Sequence, residues 1–156
     1  MKNLKIKEIS IINPKSNIKN MSFMNYIDTS SVFDGSLLNI QLLENDFPSR
    51  AQRTLQTNDI LISSVRPCLK HNYLVNIDLP NLVGSSGFIQ IRLSSNEYLP
   101  KYLYYFLTSD RNVKHFDMIA NYSQTAFPTF NKDVIEEMEI PAIGLSEQQH
   151  IVNIVR

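Results

Sequence analysis

The sequence has little of what secreted, membrane-spanning or disulfide-linked proteins carry. It contains one cysteine, no tryptophan and four glycines in 156 residues. A lone Cys68 excludes an internal disulfide and suits a reducing cytosol. No apolar run approaches the roughly 20 residues that a transmembrane helix needs, and the first ten residues lack the apolar segment of a secretory signal. We therefore expect one cytoplasmic domain with an ordinary hydrophobic core.

Motifs for catalysis are also missing. His71, His115 and His150 are widely spaced, and with one cysteine they form no metal-ligand pattern. The chain has no G-x-S-x-G elbow, no P-loop glycine spacing and no G-x-G-x-x-G. It also lacks the (N/D)-P-P-(Y/F) motif of amino-methyltransferases and a P-D…(D/E)-x-K nuclease pattern. The sequence predicts a binding protein with no catalytic residue, cofactor or metal of its own.

Charge is balanced overall but unevenly distributed. The formal net charge is zero, which argues against a protein that coats DNA without regard to sequence. Residues 47–71 hold four cations and one carboxylate, Asp59. In residues 133–149 every Asp, Glu, Lys or Arg is acidic, namely Asp133, Glu136, Glu137, Glu139 and Glu147. The pattern fits a phosphate-facing middle and a protein-facing end. The alternative interpretation is that both groups of charged side chains face solvent and have no binding role.

The chain is organised around residues 48–67. Ile60-Leu61-Ile62 is a short apolar run typical of a buried strand, and Asn58-Asp59 before it has turn chemistry. Arg50 and Arg53 precede this strand, and Ser63-Ser64-Val65-Arg66-Pro67 follows it. Arginine suits bidentate recognition of phosphate or of a guanine edge. Solvated or salt-bridged surface positions are the alternative interpretation of these arginines.

The remaining elements follow from local patterns. Strands are expected at residues 24–28, 37–40 and 70–75 and from Phe88 onward, where alternation places Gln90 and Arg92 on one face. Asp34-Gly35 predicts a tight hairpin turn. Helices are expected at residues 99–107 and 110–119, and an amphipathic segment at 134–140. We expect the tyrosines at 102, 104 and 105 to form core and rim; a base-stacking platform is the alternative. Residues 4–7 suggest an edge strand or a turn.

A long polar loop, residues 121–132, is the second functional candidate. It is rich in amide and hydroxyl groups and has no acidic side chain. Gln124 and Asn131 have the amide that reads adenine bidentately, and Thr125 has a hydroxyl that bonds either member of a base pair. For Asn131, capping of the next helix is the competing interpretation. Further on, Ser146 followed by Gln149 predicts an N-capped helix.

Five blocks in order resemble the target recognition domain of the type I restriction–modification DNA specificity subunit. They are Tyr26-Ile27-Asp28-Thr29-Ser30-Ser31-Val32, the stretch from Ala51 through Val65-Arg66-Pro67, Ser85-Ser86-Gly87-Phe88, the loop with Phe127-Pro128 and Asn131, and Leu145-Ser146-Glu147-Gln148-Gln149-His150-Ile151. The resemblance implies an α+β fold, with a twisted, mostly antiparallel sheet and a few packed helices. It also implies a recognition domain over residues 1–144 and the first turns of a long conserved helix over 145–156.

The resemblance implies a function as well. The chain would read one half of a bipartite duplex target and direct methyltransferase and restriction subunits to it, with Gln148, Ile151 and Val155 in subunit contacts and self-association through the C-terminal helix as a further arrangement. Phosphate contacts are expected from Arg50, Arg53, Lys70 and Lys132, and base contacts from Arg66, Gln124, Thr125 and Asn131. Two alternatives are the specificity half of a single-chain restriction–methylation enzyme and a protein-interaction module that does not bind DNA.

Overall fold

The computed structural model describes residues 2–123 and 128–155. In chain order, the strands of this part are β1 (Asn3–Lys5), β2 (Ser10–Ile12), β3 (Met24–Ile27), β4 (Val32–Phe33), β5 (Ser36–Leu37), β6 (Gln41–Leu43), β7 (Ala51–Thr54), β8 (Ile60–Ser63), β9 (Asn72–Leu74), β10 (Leu82–Ser85), β11 (Phe88–Leu93) and β12 (Glu139–Pro141). The helices are α1 (Ile6–Ile9), α2 (Pro100–Leu107), α3 (Asp110–Asn121), α4 (Lys132–Glu136) and α5 (Leu145–Ile154), with 3₁₀ turns at Thr29–Ser31 and Pro67–Leu69. The predicted α+β class is confirmed.

Two four-stranded sheets form the body of the domain. The first has the order β2-β11-β8-β9 and is antiparallel throughout. The second has the order β6-β3-β10-β7, in which β3 and β10 are parallel and the other pairs antiparallel. The expectation of mostly antiparallel pairing is confirmed. The strands are divided between two sheets, and the second sheet covers one face of β8.

The apolar run of β8 is buried on both faces. Ile60 and Ile62 pack into a core that includes residues of α2, α3 and α5. Leu61 points the other way, into a core with Ile27 and Leu82 of the second sheet. Since successive strand residues point to opposite faces, a strand between helices and another sheet needs apolar residues at every position. The layers are therefore helices, first sheet and second sheet.

The hairpin predicted at Asp34-Gly35 is present and joins β4 to β5. Both turn residues have positive φ, 46° for Asp34 and 90° for Gly35, as a type I′ turn requires. The backbone N–H groups of Asp34 and Gly35 donate to the carbonyls of Lys70 (2.7 Å) and Asn72 (2.9 Å). The turn therefore supports the segment that carries Lys70.

The predicted helices α2 and α3 are confirmed. Pro100 occupies the first helical position of α2, and the Ser109 hydroxyl accepts from the Asn112 N–H at the start of α3. Tyr102 and Tyr104 are buried and Tyr105 is half-buried, so these rings belong to the core and do not form a base-stacking platform. Met118 of α3 is 54% exposed.

Three local expectations need correction. The strand suggested for residues 4–7 ends at Lys5, because Ile6 and Ile9 are both buried from a one-turn helix, α1. The amphipathic segment 134–140 divides into α4 and β12, which pairs with β1. The last helix begins at Leu145 with Gly144 as its N-cap, so Ser146 lies inside the first turn and does not cap it.

None of the helices among the described residues has the length and apolar character that crossing a bilayer requires.

Candidate nucleic-acid interface

Three separate segments meet at one polar face. The backbone N–H and the Oγ of Ser64 both donate to the Gly87 carbonyl, at 3.0 and 3.1 Å. On the other side, the Phe130 N–H donates to the Ser64 carbonyl (3.1 Å) and the Arg66 N–H donates to the Pro128 carbonyl (2.9 Å). Residues 64–66 therefore lie between the turn at 86–87 and residues 128–130. We call this the junction face, made of residues 64–70, 85–87 and 128–132.

A cleft of about 510 Å³ opens on the junction face. Its lining includes Arg53, Ser64, Ser86 and several residues of the segment that begins α4, namely Thr129, Phe130, Asn131, Lys132, Asp133 and Glu136. The cleft thus brings together residues that the sequence separates by more than 70 positions. Hydroxyl, amide and cationic groups in one concave site are what a nucleic-acid backbone and base edges require.

Arg66 and Lys70 are held in an unusual backbone conformation. Both have left-handed φ values, 45° and 56°, at the two ends of the 3₁₀ turn Pro67–Leu69. Long side chains adopt this region at a cost of about 1–3 kcal/mol, and such residues persist where the surroundings hold them. Here the Cys68 N–H donates to Asp117 of α3 at 3.3 Å, and the Lys70 carbonyl accepts from the hairpin turn. The direction in which the exposed Arg66 projects is set by this restrained turn.

Arg50 and Arg53 flank the turn at 86–87 in different ways. The exposed Arg50 forms an ion pair with Asp28, Nη2 to Oδ1 at 3.3 Å. Arg53 is half-buried and donates from Nε to the Phe88 carbonyl (2.7 Å) and from Nη2 to the Ser86 carbonyl (3.3 Å), and burial lowers the pKa of its guanidinium. In this conformation Arg53 shapes the turn; its phosphate contact stays a prediction.

Three further predicted contacts, Lys70, Asn131 and Lys132, belong to the junction face. Lys132 pairs with Glu136 at 3.0 Å, and Lys70 lies 3.9 Å from Asp110. Asn131 occupies the N-cap position of α4, yet its exposed side chain makes no capping hydrogen bond, so capping does not explain this residue. Gln124 and Thr125 fall outside the described residues.

Some residues of the site were not singled out from the sequence. Ser64 and Ser86 line the cleft. The signal available in the sequence was a pair of adjacent serines at the end of β8 and another at the end of β10. Asn13, with φ of 50°, also lines it and accepts from the Gln90 N–H (2.9 Å) through its side chain. Its partner is 77 residues away, so no local pattern identifies this role. His71, which directly follows Lys70, has its Nδ1 2.9 Å from the Val32 carbonyl.

The C-terminal helix presents two kinds of residue. Gln148 is fully buried: its Oε1 accepts from the Leu99 N–H (2.8 Å), and its Nε2 donates to the carbonyls of Glu97 and Ile143 (both 2.9 Å). This burial corrects the expected subunit contact at Gln148, because the side chain joins α5 to the start of α2. Ile151 is half-buried and Val155 is 45% exposed, so both retain outward surface.

Within residues 2–123 and 128–155, no three His, Cys, Asp or Glu side chains come together in a way that would hold a metal ion. Cys68 is exposed, and desolvation together with the nearby Asp117 raises the pKa of its thiol, which disfavours the nucleophilic thiolate.

The structure defines a two-sheet α+β domain whose polar cleft has cations at its edge, the architecture of a binding domain. The chain belongs to the family described as the type I restriction modification DNA specificity domain, whose model matches residues 1–156. It is 29% identical over 131 residues to the type I restriction enzyme HindI specificity subunit of Haemophilus influenzae, an alignment that covers 83% of this chain and 28% of that protein.

Solved structures agree with this assignment. The HsdS subunit of Thermoanaerobacter tengcongensis superimposes with a TM-score of 0.83 at 26% identity, over 99% of this chain and 40% of that one. A type I restriction–modification S subunit from M. genitalium shares the fold, with a TM-score of 0.60 at 15% identity over 99% of this chain and 37% of that one. The chain thus spans less than half the length of these relatives. The comparisons favour the specificity-subunit interpretation over both alternatives.

Proposed function

We propose that this chain reads one half of a bipartite duplex DNA target for a type I restriction–modification system in the cytoplasm. The observation that carries the proposal is the meeting of three distant segments at the junction face, where hydroxyl and amide groups line a cleft beside Arg66 and other cations. Such a surface has the separate groups that positioning on phosphates and reading of base edges require. Family membership supports the same role.

Each part of the face has its own task in this proposal. Arg50, Lys70 and Lys132 contact phosphates, and Arg53 does so or holds the turn beside them. Arg66 and Asn131, together with Gln124 and Thr125 of the same loop, read base edges, because guanidinium and amide groups bond guanine and adenine bidentately. The domain itself performs no chemistry. Separate methyltransferase and restriction subunits carry out methylation and cleavage. The partly exposed side chains of Ile151 in α5 and of Val155 at its C-cap contact these subunits.

The test is co-expression of the chain with a methyltransferase subunit of its system, followed by genome-wide mapping of adenine methylation. We expect a gapped motif, one half of which changes when the cleft residues are replaced. A complex that forms but methylates nothing would contradict DNA reading. It would instead support a domain whose acidic surface and C-terminal helix bind only protein.

A further inference from the structure

Three cations at or beside the junction face are already engaged with carboxylates of the same chain. Arg50 pairs with Asp28 (3.3 Å), Lys132 with Glu136 (3.0 Å) and, more loosely, Lys70 with Asp110 (3.9 Å). Glu136 even lines the cleft that is proposed to face DNA. A carboxylate at a phosphate-binding surface repels the phosphate, so its presence there needs a reason.

The Asp28 carboxylate is fixed in place by several neighbours. Its oxygens accept from the hydroxyls of Tyr26 (3.2 Å) and Ser30 (3.1 Å), and its backbone N–H donates to the Ser31 Oγ (3.3 Å) across the adjoining 3₁₀ turn. The Asp28 side chain is only 26% exposed, whereas that of Arg50 is 57% exposed. The Asp28 carboxylate is therefore held by neighbouring side chains, whereas the Arg50 side chain that pairs with it is mostly exposed.

We propose that Asp28 and Glu136 occupy the phosphate-contacting cations in the free domain and thereby weaken its binding to DNA that offers only a backbone. This inference rests on the proposed function, which it deepens. Affinity for arbitrary sequence comes almost wholly from cations that displace condensed counterions. A cation that must first leave a carboxylate contributes less of this energy. Base-edge contacts are unaffected, so a matching sequence keeps its advantage.

The size of the effect follows from the exposure of the pairs. Exposed ion pairs are weak, so each carboxylate lowers affinity for arbitrary DNA by a factor of about 2 to 5 at low salt. The two together would lower it about 4- to 25-fold if they act independently. A reduction of this size lowers binding to arbitrary sequence without preventing the cations from reaching phosphates in the matched complex.

The test is duplex binding by the purified chain and its Asp28→Asn and Glu136→Gln variants, measured with a short duplex of random sequence from about 50 to 200 mM salt. Both variants should bind about 2 to 5 times more tightly than the parent at low salt, with a steeper salt dependence. Glu137→Gln is the matched control. It removes the same charge, but Glu137 pairs with Lys5 and Lys7 and does not line the cleft. Its affinity should equal that of the parent.

A double-mutant cycle separates occupation of the cation from general repulsion. In an Arg50→Ala background, the Asp28→Asn change should lose its effect, because the cation that it releases is gone. Thermal unfolding checks that each variant is folded. If Asp28→Asn is unstable, Glu136→Gln still tests the inference, because it removes only an i,i+4 surface pair. The inference would be overturned if Glu137→Gln raised the affinity for DNA as much as the other two variants, or if neither Asp28→Asn nor Glu136→Gln raised it. Absence of a gapped methylation motif with the parent chain would instead refute the proposed function.

Discussion

The guanidinium of Arg92 binds both carboxylate oxygens of Asp59, Nε to Oδ1 and Nη2 to Oδ2, each at 2.9 Å. Asp59 is 1% exposed and also accepts from the Gln90 side chain (2.8 Å) and from the Gln56 N–H (2.8 Å). The Gln90 Nε2 further donates to the carbonyl of Thr54, in the second sheet, at 2.9 Å. One buried carboxylate therefore ties β11 to the start of β8 and, through Gln90, to β7.

Loss of this carboxylate should be severely destabilising. Asp59→Ala leaves a buried glutamine amide, a backbone N–H and a guanidinium short of an acceptor, so we expect the free energy of unfolding to fall by about 3–5 kcal/mol. Urea denaturation measures it, with Asp78→Ala, at an exposed carboxylate, expected within about 0.5 kcal/mol of the parent. A small effect of Asp59→Ala would mean that the network does not hold the sheets together.

Arg53 and Arg50 should respond differently to the same conservative change. Arg53→Lys loses the planar fork that donates to the Phe88 and Ser86 carbonyls, which should cost about 1–2 kcal/mol of stability. Arg50→Lys keeps a surface charge and should change stability by no more than about 0.5 kcal/mol. Chemical denaturation of the two variants gives the comparison. Equal stabilities would show that the two carbonyl bonds do not support the turn.

Arg66 and Lys70 should differ in what they contribute to DNA binding. If Arg66 reads a base edge, Arg66→Ala should relax preference at one base pair by about 1–3 kcal/mol. Lys70→Ala should weaken binding to all duplexes alike and lower the salt slope by about one. Methylation mapping and competition with single-site duplex variants measure both effects. A uniform loss for Arg66→Ala would reassign Arg66 to the phosphates.

Gln148 should behave as a core residue despite its polarity. Gln148→Ala leaves the Leu99 N–H and the carbonyls of Glu97 and Ile143 without this partner, which should cost about 2–4 kcal/mol. Its exposed neighbour Gln149, whose side chain donates to that of Asn153 one turn on, is the control, and Gln149→Ala should be nearly neutral. Denaturation in the absence of any partner subunit is the measurement. Equal losses would contradict an internal role for Gln148.

Acid should remove one specific contact near the N-terminus. Hydrogen bonds from Lys7 and Lys5 lower the pKa of Glu137 below its ordinary value of 4.5. A depressed carboxyl pKa contributes stability above the ordinary value, and this contribution is lost as pH falls through the folded-state pKa. The parent should therefore lose more stability between about pH 6 and pH 3 than Glu137→Gln does. Identical pH profiles, or profiles insensitive to added salt, would exclude this pair as a contributor.

Local patterns in the sequence predicted the elements whose energetics are local. The Asp34-Gly35 turn, the proline-started helix α2 and the alternation of Gln90 and Arg92 depend on backbone preferences and periodicity within a few residues. The apolar run of β8 likewise indicated a buried strand. The ordered blocks along the chain were enough to indicate the family.

The tertiary structure alone decided which distant partners these elements meet. Nothing near Gln90 or Arg92 in sequence indicates Asp59 as their common acceptor, and nothing near Gln148 indicates its burial against α2. The pairing of Arg50 with Asp28, and the meeting of the 86–87 turn with residues 64–66 and 128–130, are of the same kind. Polar side chains have many candidate partners along a chain, and only packing of the apolar layers selects among them, because burial removes water as the alternative partner.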